Sequence, residues 1–239
     1  PADTPVSCGI HDSNASLLPY VLTEASPFSV VSTGTWVIAM SAGGREVTLA
    51  PDLDTLINVT AFGQPAPSAR FMGGREHDLA TGGPCPAPCP QDLEHILSTQ
   101  VMLLPAVAPE TGPFKGQTAQ WIGGEPGIGT GERGVAVAFY LALVTAECLS
   151  NIGHDGLIIV EGPFTGNQTY LNMLSVAMGS DVRRALGSTG TSAGAALLVQ
   201  GVAVSPPVDK RPISISHETV AAFRAYATQW RQTVKATRS

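Results

Sequence analysis

Ser32-Thr33-Gly34-Thr35 sets three hydroxyls and a glycine between the apolar runs Val30-Val31 and Trp36-Val37-Ile38-Ala39-Met40. A residue without a Cβ lets backbone N–H groups approach a ligand, and short hydroxyl donors around it suit a phosphate. An ordinary hairpin with a Ser/Thr turn has the same composition. Upstream, Asp12 follows His11 at the end of a short apolar stretch and precedes Ser13-Asn14-Ala15-Ser16. A carboxylate between a strand end and a helix N-terminus stands where chemistry is commonly done. Taken alone, Asp12 reads more simply as a helix cap.

Three later glycine clusters have the same double character. Glu161-Gly162-Pro163-Phe164-Thr165-Gly166-Asn167 follows a buried strand and precedes a helix, the place where α/β sheets bind ligands. It also reads as a tight turn with an Asn cap. Gly190-Thr191-Ser192-Ala193-Gly194 matches a nucleophile elbow, with Asp209 and His217 downstream in the order such hydrolases use. Those two partners stand too close in sequence to occupy separate strand ends. A small-residue helix start that admits a ligand or another helix is the simpler reading. Gly129-Thr130-Gly131-Glu132-Arg133-Gly134 matches the dinucleotide pattern, but a Gly-rich loop precedes it instead of a strand. It reads as a loop entering a helix N-terminus.

These segments need a scaffold, and 239 residues with 44% hydrophobic content supply a core for one large or two small domains. The net charge of -6 and scattered Lys and Arg leave no basic stripe for a nucleic-acid backbone. Cys85 and Cys89 lie in a Pro-rich stretch without a second ligand pair, so they read as reduced surface thiols, with a local disulfide the lesser alternative, and not as a zinc site. The N-terminus shows no basic-then-apolar leader, and the apolar run over 135–146 is shorter than the roughly 20 residues a bilayer span needs. A soluble cytoplasmic protein is the expectation.

The elements follow from period and punctuation. Strands are predicted over 6–10, on both sides of the Gly34 turn, over 46–49 after Gly43-Gly44, over 157–160 and over 182–186. Helices are predicted from Ser13 toward Leu17-Leu18, over 91–98, 134–152, 170–178 and 193–204. A last helix capped by Ser216 presents Phe223, Ala227, Trp230 and Val234 on one face. Residues 58–76 and much of 81–130 read as irregular, with Arg70 to Glu76 a polar loop near the cleft. Helices alternating with strands after a hairpin imply an α/β domain with a mixed sheet.

The order of four motifs is more specific than any one of them. His11-Asp12, then Ser32-Thr33-Gly34-Thr35-Trp36, then Glu161-Gly162 to Asn167, then Gly190-Thr191-Ser192-Ala193-Gly194-Ala195-Ala196 resembles the C-terminal half of the FGGY carbohydrate kinases. That family belongs to the actin/hexokinase-like ATPase superfamily. The His-Asp pair and the Gly-Thr-Trp are similar in flavour to its rhamnulokinase and fuculokinase branch. The resemblance covers most of the chain from Val6 to Val204. It implies a ribonuclease H-like (actin-like ATPase) α/β domain over 23–239, with 1–22 the end of an N-terminal kinase domain and a linker helix. It implies ATP with Mg2+ riding on the nucleotide, and transfer of the γ-phosphate to a hydroxyl of a ketose or related sugar.

By the same resemblance Asp12 takes the place of the general base. Thr33, Gly34 and Thr35 match the second phosphate-binding hairpin, Gly162 and Asn167 the adenosine motif, and Gly190, Ala193 and Gly194 the small-residue helix after it. Pro163 departs from the family's frequent second glycine, and proline has no N–H to offer adenine. The family's N-terminal half, which supplies the first phosphate loop and most sugar contacts, does not precede Asp12 here. The chain therefore reads as one part of a longer or split kinase whose partner is that domain, with a homodimer also allowed. Alone it is expected to phosphorylate no sugar. The rival readings are a hydrolase using Ser192 and a non-catalytic nucleotide-binding remnant.

Overall fold

The computed structural model describes residues 9–185, 190–200, 213 and 215–237. Its centre is a six-stranded sheet of β1 (Phe28–Thr33), β2 (Val37–Ala42), β3 (Thr55–Val59), β4 (Pro65–Phe71), β7 (Leu157–Glu161) and β8 (Val182–Arg184), in the order β3-β4-β2-β1-β7-β8. The first four pair antiparallel, while β7 joins β1 and β8 joins β7 in parallel. A separate ribbon pairs β5 (Met102–Leu104) with β6 (Gln120–Ile122).

Alternation along the strands sends successive side chains to opposite faces. Val31, Ile158 and Val160 join the core on one face with α4 (Gly131–Asn151), α5 (Gln168–Met178) and α7 (His217–Thr237). Val30, Met40 and Ile159 join Leu17 and Tyr20 of α1 (Asp12–Thr23) on the other. The result is a mixed sheet between two helical layers. On the α1 side lies α6 (Gly190–Gln200), while α2 (Gly73–Thr81) and α3 (Pro90–Thr99) pack on α4.

The two elements with the strongest periodicity form as predicted. The apolar residues of α4 run all round the helix, and it is buried on nearly every side. Its 21 residues are long and apolar enough to cross a membrane, beyond the 135–146 run, but 78% of its most apolar window is buried inside this protein. In α7, Phe223, Ala227, Trp230 and Val234 are buried, and Trp230 donates its indole N–H to the Leu103 carbonyl at 2.8 Å. Each such large side chain taken from water stabilises the fold by about 1.5–3 kcal/mol. At the start of α7, Ser216 Oγ accepts the Thr219 N–H at 3.2 Å, the expected cap.

Other expectations give way. Residues 46–49 form no strand: Arg45 N–H donates to the Gly153 carbonyl at 2.7 Å, so this segment runs across the α4–β7 turn instead of pairing. Residues 58–76 are not irregular but carry the end of β3, β4 and the start of α2. Pro65 and Pro67 argue against a strand in sequence, yet β2 pairs only with Ser68 to Phe71. Both prolines stand in register with β3, opposite Val59 and Ile57, beyond the residues that β2 pairs. Helix α1 begins at Asp12 with His11 as its N-cap, and α4 begins at Gly131, where Thr130 Oγ1 caps the Arg133 N–H. Helix α6 begins at Gly190 and is described to Gln200. Gly9 and Ile10 are in no strand; the rest of the expected first strand, Leu186, and Asp209 lie outside the described residues.

The dinucleotide-like loop is a helix start with a structural purpose. Gly131 packs so closely on the Asp92 carboxylate that a Cβ would overlap it. Buried Arg133 donates to the carbonyls of Ala80 and Pro126, both at 2.7 Å, and pairs with Glu125 at 2.9 Å. It thereby ties the 81–130 segment to α4. Cys85 and Cys89 are free thiols at its surface.

Candidate active site

The hairpin, the turn after β7, the start of α6 and the middle of α1 meet around one residue that sequence reasoning gave no role, Glu161. The parallel register sets Ser32 beside Glu161 at the adjacent ends of β1 and β7. The carboxylate is buried at 4% exposure and accepts from Tyr20 Oη of α1 at 3.2 Å. The Ser16 and Ser32 hydroxyls lie beside it as well, that of Ser16 donating to the Ser13 carbonyl at 3.0 Å. Its backbone carbonyl accepts from Thr33 Oγ1 at 2.6 Å, and Gly190 of α6 stands where any Cβ would overlap the carboxylate. Burial raises the Glu161 pKa above the usual carboxylate range, against the opposing pull of those three hydroxyls.

At the hairpin tip the three predicted phosphate ligands divide by task. Thr33 is buried, and its hydroxyl is occupied: it donates to the Glu161 carbonyl and accepts the Phe164 N–H at 3.1 Å. The Gly34 N–H closes the turn onto the Trp36 carbonyl at 2.8 Å. Thr35 is exposed, and neither its hydroxyl nor its N–H has a protein partner among the described residues. Its carbonyl accepts the Gly74 N–H at 3.2 Å, which fastens the N-terminus of α2 to the tip. That contact explains Gly73-Gly74. A Cβ on Gly73 would overlap Val37, and one on Gly74 would overlap the Gly34 carbonyl. Arg70 lies over the Trp36 ring at 5.0 Å and braces the same tip.

A cleft of about 900 Å³ opens from this tip. Gly34 and Thr35 form one end. Arg75, His77, Asp78 and Leu79 of α2 form one wall, and Pro163, Phe164, Gly166 and Asn167 form the other. Gly162 holds a φ of +84°, turning the chain out of β7 toward that wall. Asn167 Oδ1 accepts the Tyr170 N–H at 3.0 Å, so it caps α5 while lining the cleft. Phe164 packs edge-on to Tyr170 at 5.2 Å and faces His77 at 6.1 Å. Free donors and the Arg75 cation near one end, with apolar and aromatic surface beyond, suit a phosphorylated ligand bearing a flat ring. Among the described residues, no group of three or more His, Cys, Asp or Glu is arranged to hold a metal ion.

Beneath the α2 wall lies a second residue that sequence gave no role. Glu76 is buried at 2% exposure and accepts from Tyr140 Oη. Burial raises its pKa to about 7, with the Tyr140 and Ala108 hydrogen bonds pulling the other way. The glycine pair ahead of Arg75-Glu76-His77-Asp78 was the available signal. Two glycines at a helix start mark a close approach, and the charged residues after them mark a cleft wall.

Asp12 sits in the first turn of α1, exposed, with Oδ1 accepting the Ser13 N–H at 2.7 Å and facing His11 Nδ1 at 3.0 Å. Gly190, Ala193 and Gly194 are not among the residues lining the cleft. Gly194 meets the Ala15 carbonyl so closely that a Cβ would overlap it, so α6 lies directly on α1. Ser192 is exposed within the first turn of α6, His217 opens α7, and no hydrogen bond joins them among the described residues.

A mixed sheet with four antiparallel strands beside two parallel ones, clad by helices on both faces and cleft at the hairpin tip, is the actin-like ATPase fold. The chain belongs to the FGGY carbohydrate kinase family: the model of that family's C-terminal domain matches residues 25–207. A carbohydrate kinase from Novosphingobium aromaticivorans superposes at a TM-score of 0.81 with 30% identity, over 97% of this chain and 51% of its own. A xylulose kinase from Rhodospirillum rubrum superposes at 0.65 with 13% identity, over 96% and 50%. A Plasmodium falciparum glycerol kinase with ADP superposes at 0.62 with 14% identity, over 95% and 50%. The chain thus spans about half the length of these kinases. No curated protein matches it in sequence.

Proposed function

We propose that the chain is the nucleotide-binding half of an ATP-dependent kinase that phosphorylates a ketose or related sugar in the cytoplasm. The observation that carries this reading is the free hydroxyl and N–H of Thr35 at the mouth of a cleft walled by Arg75, His77, Phe164 and Asn167. Thr35 and Gly34 meet the phosphates, with Mg2+ carried on them, and adenosine lies along Phe164 and Asn167. Exposed Pro163 supplies an apolar surface where an N–H is missing. Thr33, Gly162, Gly190, Ala193 and Gly194 serve by holding these parts together. A glycerol kinase of the same fold, solved with ADP, supports the choice of nucleotide.

Asp12 is the general base. Its carboxylate takes the proton of a sugar hydroxyl as that oxygen bonds to the γ-phosphorus, the bond to the β–γ bridging oxygen breaks, and ADP leaves. Residues 1–22 close an N-terminal kinase domain, and 23–239 form the C-terminal domain. The N-terminal domain supplies the first phosphate loop and most sugar contacts.

Two measurements test the reading. Calorimetry on the chain should detect ATP, and addition of a matching N-terminal domain should bring sugar-dependent ADP release that Asp12→Asn abolishes. Binding without turnover in any assembly would favour a non-catalytic nucleotide module. Turnover by the chain alone at an ordinary enzymatic rate would refute the half-kinase reading.

A further inference from the structure

Asp12, Ser16 and Tyr20 follow one another at intervals of four along α1, so they share one stripe of the helix. Ser16 and Tyr20 are buried at 0% and 1% exposure; Tyr20 Oη donates to the Glu161 carboxylate at 3.2 Å, and the Ser16 hydroxyl lies beside that carboxylate while donating to the Ser13 carbonyl. Glu161 is in turn joined to the hairpin twice, by its side chain to Ser32 and by its carbonyl to Thr33. The other neighbours of α1 are the apolar sheet face, Val30, Met40 and Ile159 against Leu17 and Tyr20, and the bare surface of Gly194 against Ala15. Smooth glycine and apolar contacts set how close a helix lies. They resist its rotation about its own axis weakly. The directional hydrogen bond from Tyr20 to one fixed carboxylate resists that rotation strongly.

We infer that Glu161 is a positioning residue: through Tyr20 it fixes the rotation of α1 and so holds Asp12 in register with the phosphate hairpin. The hairpin, the base-bearing helix and the strand end move as one unit because one buried side chain joins them. This inference rests on the reading of Asp12 as general base.

The test uses the kinase assembled from this chain and its N-terminal domain, with rates normalised to nucleotide-binding sites. Glu161→Ala frees the stripe and should lower kcat roughly 100-fold, the usual effect of a misplaced catalytic group. KM for ATP should stay within about threefold, because the Thr35 donors are untouched. Glu161→Gln keeps the shape and one acceptor oxygen, enough for the Tyr20 hydroxyl, and should restore most of kcat. If Glu161→Ala fails to fold, Tyr20→Phe removes one bond without opening a cavity and should lower kcat at constant ATP affinity. Loss of ATP binding in step with kcat would mark Glu161 as merely structural and overturn the inference. So would an unchanged kcat in Glu161→Ala alongside an inactive Asp12→Asn. Full activity of Asp12→Asn would instead remove the general-base reading on which the inference stands.

Discussion

Gly162 and Thr33 are in such close contact that a Cβ on the glycine would overlap the Thr33 carbonyl and stand 2.8 Å from its hydroxyl. The contact joins the ends of β1 and β7, the two strands that carry the hairpin and the cleft wall. Gly162 also has φ +84° and ψ -165°, a region essentially reserved for glycine that costs other residues about 1–3 kcal/mol. Gly162→Ala therefore meets both strain and a backbone clash that no rotamer relieves. We expect a loss of roughly 3 kcal/mol in urea unfolding and a nucleotide affinity that falls with it. A variant as stable as the wild type would mean that the strand ends can part freely.

Thr33→Val and Thr35→Val should separate stability from binding. Valine at 33 keeps the volume but strands the buried Phe164 N–H and the Glu161 carbonyl, at a cost of about 1–3 kcal/mol. Valine at 35 strands nothing within the protein, so unfolding should shift by less than about 0.5 kcal/mol. ATP affinity should fall roughly tenfold in that variant, the worth of one charge-assisted hydrogen bond. Denaturation and calorimetry on the two proteins give the comparison; the reverse pattern would move the ligand away from Thr35.

Glu76 should make stability fall as pH rises. Its pKa is about 7 in the folded protein against an ordinary 4.5, so between those values the folded state binds more protons than the unfolded one. The stabilisation is complete below pH 4.5 and lost by pH 7, on the order of 3 kcal/mol. Buried His154 acts in the opposite direction: its pKa is lowered by burial, so its contribution is present above 6.5 and lost as pH falls. Glu76→Gln should flatten the fall between pH 4.5 and 7 in urea midpoints, and an unaltered slope would contradict the assignment.

Gly194→Ala sets two effects against each other. Alanine gains about 1 kcal/mol of helix propensity over glycine. Against this, the new Cβ overlaps the Ala15 backbone carbonyl, which cannot move without α1. Overpacking of about 1–3 kcal/mol should win, with faster hydrogen exchange in α1 than in α4. A stabilised variant would show that α1 and α6 are not in close contact in solution.

Much of this protein was legible from the order of its residues. The hairpin around Gly34, the buried helix α4 and the docking face of α7 follow from local period and punctuation, which a linear reading captures. The series from Asp12 to Gly194 pointed to the family because spacing survives where single motifs are too short to be specific. Tertiary structure decided how the polar groups are spent. Thr33 and Thr35 look alike in sequence; one is consumed by partners 128 and 131 residues away and the other is left free. The α6 glycines look alike in sequence; Gly194 lies on the Ala15 backbone of α1 and Gly190 on the Glu161 carboxylate. Glu161 and Glu76 acquire their roles only through groups far along the chain. Hydrogen bonds and close packing are settled between distant segments, so no local pattern could assign them.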